Sequence, residues 1–122
     1  MTGEWYSAMS TGVLEIDCQH QNLDAVLSVA MISDDGRSQE LLQTFALALS
    51  DHFSFEEAYT LPSGSPFVDS RHESEHRTLE GAVSEALLKM GDTGDSANSL
   101  ALKFARLLVN HATDFDIPAA KQ

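Results

Sequence analysis

The sequence predicts an all-α fold, an up-down-up-down antiparallel four-helix bundle preceded by an N-terminal arm. Its 122 residues suffice for one hydrophobic core and are too few for two. Apolar residues recur every three or four positions over most of the chain, which is the spacing of amphipathic helices rather than of strands. Three short loop segments, at 33–38, 61–66 and 91–96, separate the helical stretches. Helices joined by such short connections pack as antiparallel neighbours.

The arm and the first two helices come first along the chain. Residues 1–16 are predicted to form the arm, with Trp5 as its anchor. The first two helices are expected near 17–32 and 38–60. The stripe of the first consists of His20, Leu23, Leu27 and Ala30. The stripe of the second consists of Leu42, Phe45, Leu49, His52, Glu56 and Tyr59.

The third and fourth helices are expected near 69–90 and 96–115. Two prolines in the loop at 61–66 prevent the second helix from running into the third. The stripe of the third consists of His72, His76, Leu79, Val83, Leu87 and Met90. The stripe of the fourth consists of Leu100, Phe104, Leu108, His111 and Phe115. The bundle is therefore predicted to span 17–117, with 118–122 as a C-terminal tail.

The composition excludes several classes of function. Lys and Arg number 7 against 19 Asp and Glu, which gives a formal net charge of −12. Because phosphate backbones and anionic lipid surfaces repel so acidic a chain, we expect no nucleic-acid partner. The longest apolar stretch, at 25–32, is interrupted by Ser28 and is far shorter than a membrane span, so we expect no membrane insertion. The single cysteine can form no internal disulfide, and the N-terminus lacks the basic and apolar segments of a signal peptide. We therefore expect a cytoplasmic domain.

All five histidines lie on the stripes that otherwise carry Leu, Phe and Val. One histidine on an apolar face is usually a core or boundary residue, but random placement would not put all five there. They fall near the start of helix one, the end of helix two, the start of helix three and the end of helix four: His20, His52, His72, His76 and His111. In an antiparallel bundle these positions lie at the same end. Their convergence predicts a metal centre.

Two carboxylates extend this site. Glu56 follows His52 by four residues, so both side chains point the same way from successive helical turns. Asp116 follows His111 by five residues, which is about 140° around a regular helix. We therefore expect Asp116 to reach only the rim of the site, from a fraying last turn. Glu57 lies off the stripe and is predicted to be a solvated acid.

The number and type of ligands indicate the metal. Five imidazoles and two carboxylates exceed the four ligands of a structural zinc site. If both carboxylates and a hydroxide bridge two octahedral ions, this set leaves one coordination position open. Imidazole and carboxylate ligands without thiolate suit iron, and carboxylate-bridged iron pairs occur in bundle cores. The sequence thus predicts two iron ions with a bridging hydroxide or oxide, and dioxygen as a ligand.

These motifs resemble those of the bacterial hemerythrins, and the resemblance spans residues 5–117. It is carried by the segments Ile16-Asp17-Cys18-Gln19-His20 and His52-Phe53-Ser54-Phe55-Glu56-Glu57, by His72 and His76 four residues apart, and by His111 and Asp116 five apart.

The resemblance implies a role for each ligand. A six-coordinate iron would be held by His72, His76 and His111. A five-coordinate iron would be held by His20 and His52, with Glu56 and Asp116 bridging the pair. Reversible O2 binding at the five-coordinate iron, and small anions as ligands in the ferric state, are implied in the same way. The chain is therefore not expected to be an enzyme.

The resemblance also implies an O2 pocket, formed by Leu23, Phe53, Leu107, Leu108 and Ala112. Leu107 stands where the family often has Trp, and Ala112 where it often has a bulky aliphatic residue. The small Ala112 side chain is expected to leave room for water and anions, and so to speed autoxidation and ligand exchange.

Two physiological roles fit this chemistry, an O2- or redox-sensing input domain and an O2 carrier or store. Fast ligand exchange favours the sensor, because a sensor must reset. Hemerythrin-like domains occur fused to signalling modules, and the tail at 118–122 would suit a link to such an output domain.

Three other classes of protein are alternatives to this interpretation. His72-Glu73-Ser74-Glu75-His76 fits the HExxH pattern of zinc hydrolases and its inverted form, but that assignment leaves three histidines unexplained. A ferritin-like oxidase needs two ExxH pairs and more carboxylates than histidines. A purely structural bundle would have to gather five histidines without a metal.

Cys18 precedes His20 by two residues, which is about 200° around a helix. It is predicted to point away from the metal centre as a small buried residue, with a redox-sensing thiol as the alternative.

Overall fold

The computed structural model describes residues 9–122, which fold as an antiparallel four-helix bundle. The helices are α1 (Leu14–Ile32), α2 (Asp35–Ala58), α3 (Ser70–Thr93) and α4 (Ala97–His111). A π-helical turn, Ala112–Asp116, and a short helix α5, Ile117–Ala120, follow α4. Helix α1 packs against α2 and α4, and α3 packs against the same two helices. The predicted fold class is confirmed, while the predicted Trp5 anchor lies outside the described residues.

Side-chain caps set the starts of three helices. The side chains of Asp34, Asp69 and Ser96 accept the backbone N–H of the third residue along, at 2.9, 2.8 and 3.1 Å. These contacts satisfy N–H groups that have no partner within the helix. The cap at Asp34 starts α2 three residues earlier than predicted. Helix α1, without a side-chain cap, also starts three residues early, at Leu14.

The loop predicted at 91–96 is shorter than expected. Helix α3 continues through Gly91 to Thr93, and Gly94 ends it with φ +79°. Glycine adopts this left-handed conformation without the steric cost of a Cβ atom, which makes it a common helix terminator. Only residues 94–96 therefore separate α3 from α4.

The core has two parts. The larger one runs along the bundle axis and includes the stacked rings of Phe45 and Phe104, with centroids 5.7 Å apart. A smaller apolar cluster of Ile16, Leu61 and Phe67 lies where the α2–α3 connection meets the start of α1. Phe67 of this second cluster lies beside His72, with ring centroids 5.7 Å apart. Within residues 9–122, no helix combines the length and apolar character needed to cross a membrane.

Candidate metal centre

The bundle brings the seven predicted ligands together at the end where α1 and α3 begin. All seven are buried, and the most accessible of them, His52 and His72, are only 3 % exposed. The set consists of His20, His52, Glu56, His72, His76, His111 and Asp116. Burial of so many ionisable groups is costly unless charges are paired or bound to a metal. The convergence predicted from the sequence is therefore present.

These side chains form two overlapping groups that share both carboxylates. One group joins three histidines to Glu56 and Asp116: His72, His76 and His111. The other joins His20 and His52 to the same two carboxylates. In each group the candidate ligand atoms lie within 4.8 Å of one another. Two ions held this way would have Glu56 and Asp116 in common.

Every histidine turns its Nε2 atom toward a carboxylate. Glu56 lies 2.9 Å from Nε2 of His52 and 3.0 Å from that of His76. The Nε2 atoms of the other three histidines face Asp116, at distances from its oxygens of 3.1 Å for His20, 2.9 Å for His72 and 3.2 Å for His111.

The outer ring nitrogens face acceptors. Nδ1 of His20 lies 3.0 Å from the Met9 carbonyl, and Nδ1 of His52 lies 2.6 Å from the Gln19 side-chain oxygen. Nδ1 of His76 lies 2.7 Å from a Glu57 oxygen. Because these oxygens can only accept, each of the three Nδ1 atoms carries a hydrogen and donates it. Such contacts fix the orientation of a metal-ligating histidine.

The fit of this set to a metal follows from its donors. A neutral imidazole protonated at Nδ1 presents a lone pair at Nε2, here directed at carboxylate oxygens that also carry lone pairs. The resulting repulsion disappears if a cation lies between them. Although Nε2 of His52 and Oε2 of Glu56 lie 2.9 Å apart, they do not form a hydrogen bond, and both atoms are buried without a partner. Nε2 of His111 is likewise buried without a hydrogen-bond partner. Imidazole nitrogens and carboxylate oxygens together suit a transition-metal ion.

Without a metal, protons provide the positive charge. Burial lowers the pKa of His20, but Asp116 and Glu56 outweigh it and raise that pKa to about 10. Burial and Asp116 raise the pKa of Glu56, whereas the surrounding histidines lower it further, to about 2. Burial likewise raises the pKa of Asp116, but the facing histidines hold it well below its ordinary value. Asp116 and Glu56 thus favour the imidazolium form of His20 in the metal-free cluster.

A local distortion of helix four places Asp116, and here the prediction of a rim position was wrong. Asp116 is fully buried and central. Residues 112–116 form a π-helical turn, in which the Ile117 N–H donates to the Ala112 carbonyl. A π-helical turn is wider than an α-helical one, so a residue five positions on returns to the same face. His111 and Asp116 therefore meet, although a regular helix would separate them.

Two predictions about neighbouring residues were also wrong. Glu57 is not a solvated acid, because it is 21 % exposed and accepts the Nδ1–H of His76. Cys18 is exposed rather than buried.

Two further contacts, those of Met9 with His20 and of Gln19 with His52, were not predicted from the sequence. For Gln19 the sequence contains one signal, because this residue immediately precedes His20 in the segment that resembles the hemerythrin motif. No signal existed for Met9, whose contribution is a backbone carbonyl. Asp17 holds the turn that contains Met9, by accepting the N–H groups of Thr11 and Gly12 at 2.8 and 3.0 Å.

The predicted pocket residues differ in position. Four are buried in the main core: Leu23, Phe53, Leu108 and Ala112. The Phe53 ring stacks on His76 with centroids 3.9 Å apart, next to the ligand set. Leu107 is only half-buried and, together with Leu108, lines a cavity of about 10 Å³ beside Phe104 and Val83.

A groove leads from solvent to the two-histidine group. It has a volume of about 210 Å³ and lies between α1 and α2. His52, Leu23 and Ala48 line it together with the polar side chains of Gln19, Asn22 and Asp51. Small solutes can therefore approach His52 without passing through the apolar core.

Comparison with family models, with curated proteins and with solved structures finds no match to this chain. The fold and the site together define an α-helical bundle whose buried histidine–carboxylate cluster can hold metal ions.

Proposed function

We propose that this chain holds two iron ions and binds O2 reversibly, as the hemerythrin-like motifs suggest. The observation that carries the proposal is the buried pair of ligand groups that share Glu56 and Asp116. Two irons would supply the electrons for reversible binding of O2. The protein supplies a fixed set of imidazole and carboxylate ligands and shields them from bulk water.

The two groups would have different tasks. His72, His76 and His111 would fill the protein positions of one iron, while His20 and His52 leave the other short of a ligand. The groove lined by His52 and Gln19 would bring O2 and small anions close to this second iron. We propose binding without turnover, and therefore a role that is not enzymatic.

We propose sensing rather than storage as the use of this binding. The groove supports fast ligand exchange, which suits a domain that must reset and pass its state to an output module. The carrier role would be supported instead by slow autoxidation and slow anion exchange, measured by stopped-flow absorbance.

The ligand assignment is tested by metal analysis. The protein should bind close to two irons per chain, and His76→Ala or Glu56→Ala should lower that content sharply. Glu73→Ala is the matched control, because Glu73 is exposed on the same helix as His76. One zinc per chain, with Glu73 required for hydrolysis, would instead support the zinc hydrolase. Unchanged iron content in both ligand variants would refute the assignment.

The O2 proposal is tested by spectroscopy of the iron-loaded protein. Anaerobic reduction should give a nearly colourless form, air should produce a visible charge-transfer band, and removal of O2 should abolish it. A sample that goes directly to an inert ferric state would contradict reversible binding.

A further inference from the structure

The outer hydrogen-bond partners of the histidines divide the centre into two unequal halves. In the three-histidine half, Nδ1 of His76 donates to the Glu57 carboxylate at 2.7 Å. Nδ1 of His111 lies 3.8 Å from a Glu75 oxygen, close to a second acid but beyond hydrogen-bond distance. In the two-histidine half the acceptors are neutral. His20 donates to a backbone carbonyl and His52 to the side-chain amide of Gln19.

Glu57 shares a positively charged partner with a second acid. Arg77 also binds this carboxylate, and the Arg77 Nε atom lies 2.9 Å from Glu80. One guanidinium therefore contacts two carboxylates, so its positive charge is shared between them. Because Glu57 is only 21 % exposed, solvent and salt screen its field less than that of a surface acid.

An anionic acceptor behind an imidazole increases the basicity of that ligand, whereas a neutral acceptor does so less. A higher positive charge on the metal is therefore stabilised more when the metal is bound through His76 than when it is bound through His52. The same field strengthens binding of any divalent cation in the three-histidine half.

We propose that Glu57 is a positioning residue that makes the His72–His76–His111 half hold the more highly charged ion. The inference rests on the proposed iron pair. In a mixed-valence pair the ferric ion then occupies the three-histidine half, and the first electron enters the half with His20 and His52. The iron with the free position is thus the first to become ferrous.

Two charge-changing variants test this assignment in an anaerobic redox titration of the iron-loaded protein. Glu57→Gln keeps an acceptor for His76 but removes its charge, and should raise the potential of the second one-electron step. Gln19→Glu places a charge behind His52 and should lower the potential of the first step. Mutation of a residue that hydrogen-bonds to a metal ligand typically changes metal affinity or activity by about 10–100-fold. Tenfold corresponds to about 59 mV for a one-electron couple.

The control variant is Glu85→Gln. Glu85 is an exposed acid on α3, the helix of His76, and pairs with Lys89, so its removal makes the same change in net charge as Glu57→Gln on an exposed surface. Neither potential should move. Equal shifts in the Glu57 and Glu85 variants, or a shift of the first step in Glu57→Gln, would overturn the proposal.

Stepwise Co²⁺ titration separates this inference from the proposed function. In Glu57→Gln the tighter of two Co²⁺ binding steps should weaken by about tenfold, with the weaker step unchanged. A parent protein that binds two Co²⁺ but no iron would refute the iron proposal and leave this comparison decisive. Unchanged Co²⁺ affinity in both steps would overturn the role of Glu57.

Discussion

The buried histidines carry contacts at both ring nitrogens, and this makes their protonation sensitive to what occupies the centre. In His20, His52 and His76 the outer nitrogen donates to a fixed acceptor, while the inner nitrogen faces a carboxylate. A proton or a metal ion can provide the positive charge required between the rings and the carboxylates. The two therefore compete, and metal binding displaces protons.

The metal-free protein should be most stable between about pH 4.5 and 6.5. The lowered pKa of Glu56 contributes stability above its ordinary value of 4.5 that is lost as pH falls toward about 2. The raised pKa of His20 contributes stability below its ordinary 6.5 that is lost as pH rises toward about 10. Burial raises the pKa of Asp24 to about 6, which moves the maximum toward the acid side.

Urea unfolding of the metal-free protein across pH 3–9 measures this dependence. The midpoint should fall on both sides of the window, and in His20→Ala the alkaline fall should be shallower. A parent midpoint that rises steadily to pH 9 would contradict the ion-paired state.

Ala112→Ile should destabilise the protein by about 1–3 kcal/mol, because enlarging a packed residue forces neighbours to move. Ala112 is fully buried in the main core at the start of the π-helical turn. Denaturant unfolding provides the measurement, with Ala58→Ile at an exposed position as control. A variant as stable as the parent, with slower autoxidation, would show that space beside Ala112 admits solvent.

At the scale of single residues, the sequence predicts the metal ligands but not the groups that accept the Nδ1–H of the histidines. The ligands are recognisable because helical periodicity and chain direction place them at one bundle end. Glu57 lies off the stripe, and its contact with His76 depends on a side-chain orientation across two helices. The Met9 contact depends on backbone position, which no residue type indicates.

At the scale of elements, the distinctive feature is the π-helical turn after α4. Helix spans could be predicted to within a few residues, because stripes and capping residues mark them. The π turn could not, since a regular helix of 3.6 residues per turn moves Asp116 away from His111. In the π turn Asp116 contacts His20 and His72 from other helices, and the periodicity of one helix carries no signal of such tertiary contacts.

Deletion of Thr113 tests this account of the π turn. The deletion puts the aspartate four residues after the last histidine, a spacing that a regular α-helix places on one face. Thr113 is exposed, so its removal takes no side chain from the core. Iron content should stay close to that of the parent.

Insertion of an alanine after Thr113 is the matched control. It turns the aspartate a further 100° or so around the helix and should lower iron content sharply. Equal iron content in the deletion and insertion variants would show that the spacing does not position Asp116.

At the scale of the whole molecule, the centre links the ends of four helices. Metal removal should lower the melting temperature, because only the folded chain assembles the ligands. At a hundredfold excess of metal over its Kd, the linkage is worth about 2.7 kcal/mol. For a domain of this size that corresponds to roughly 10 °C. Calorimetry of metal-free and metal-loaded protein should show it, and identical melting curves would contradict a buried site.

The hydrogen bond from His20 to the Met9 carbonyl also connects the centre mechanically to the chain before α1. An ion that fixes the His20 ring favours the ordered turn at residues 9–13, which Asp17 holds. Reciprocity requires that tension displacing Met9 should weaken the hold on that ion. Metal binding at the centre and the conformation of residues 9–13 are therefore coupled, and each changes the stability of the other.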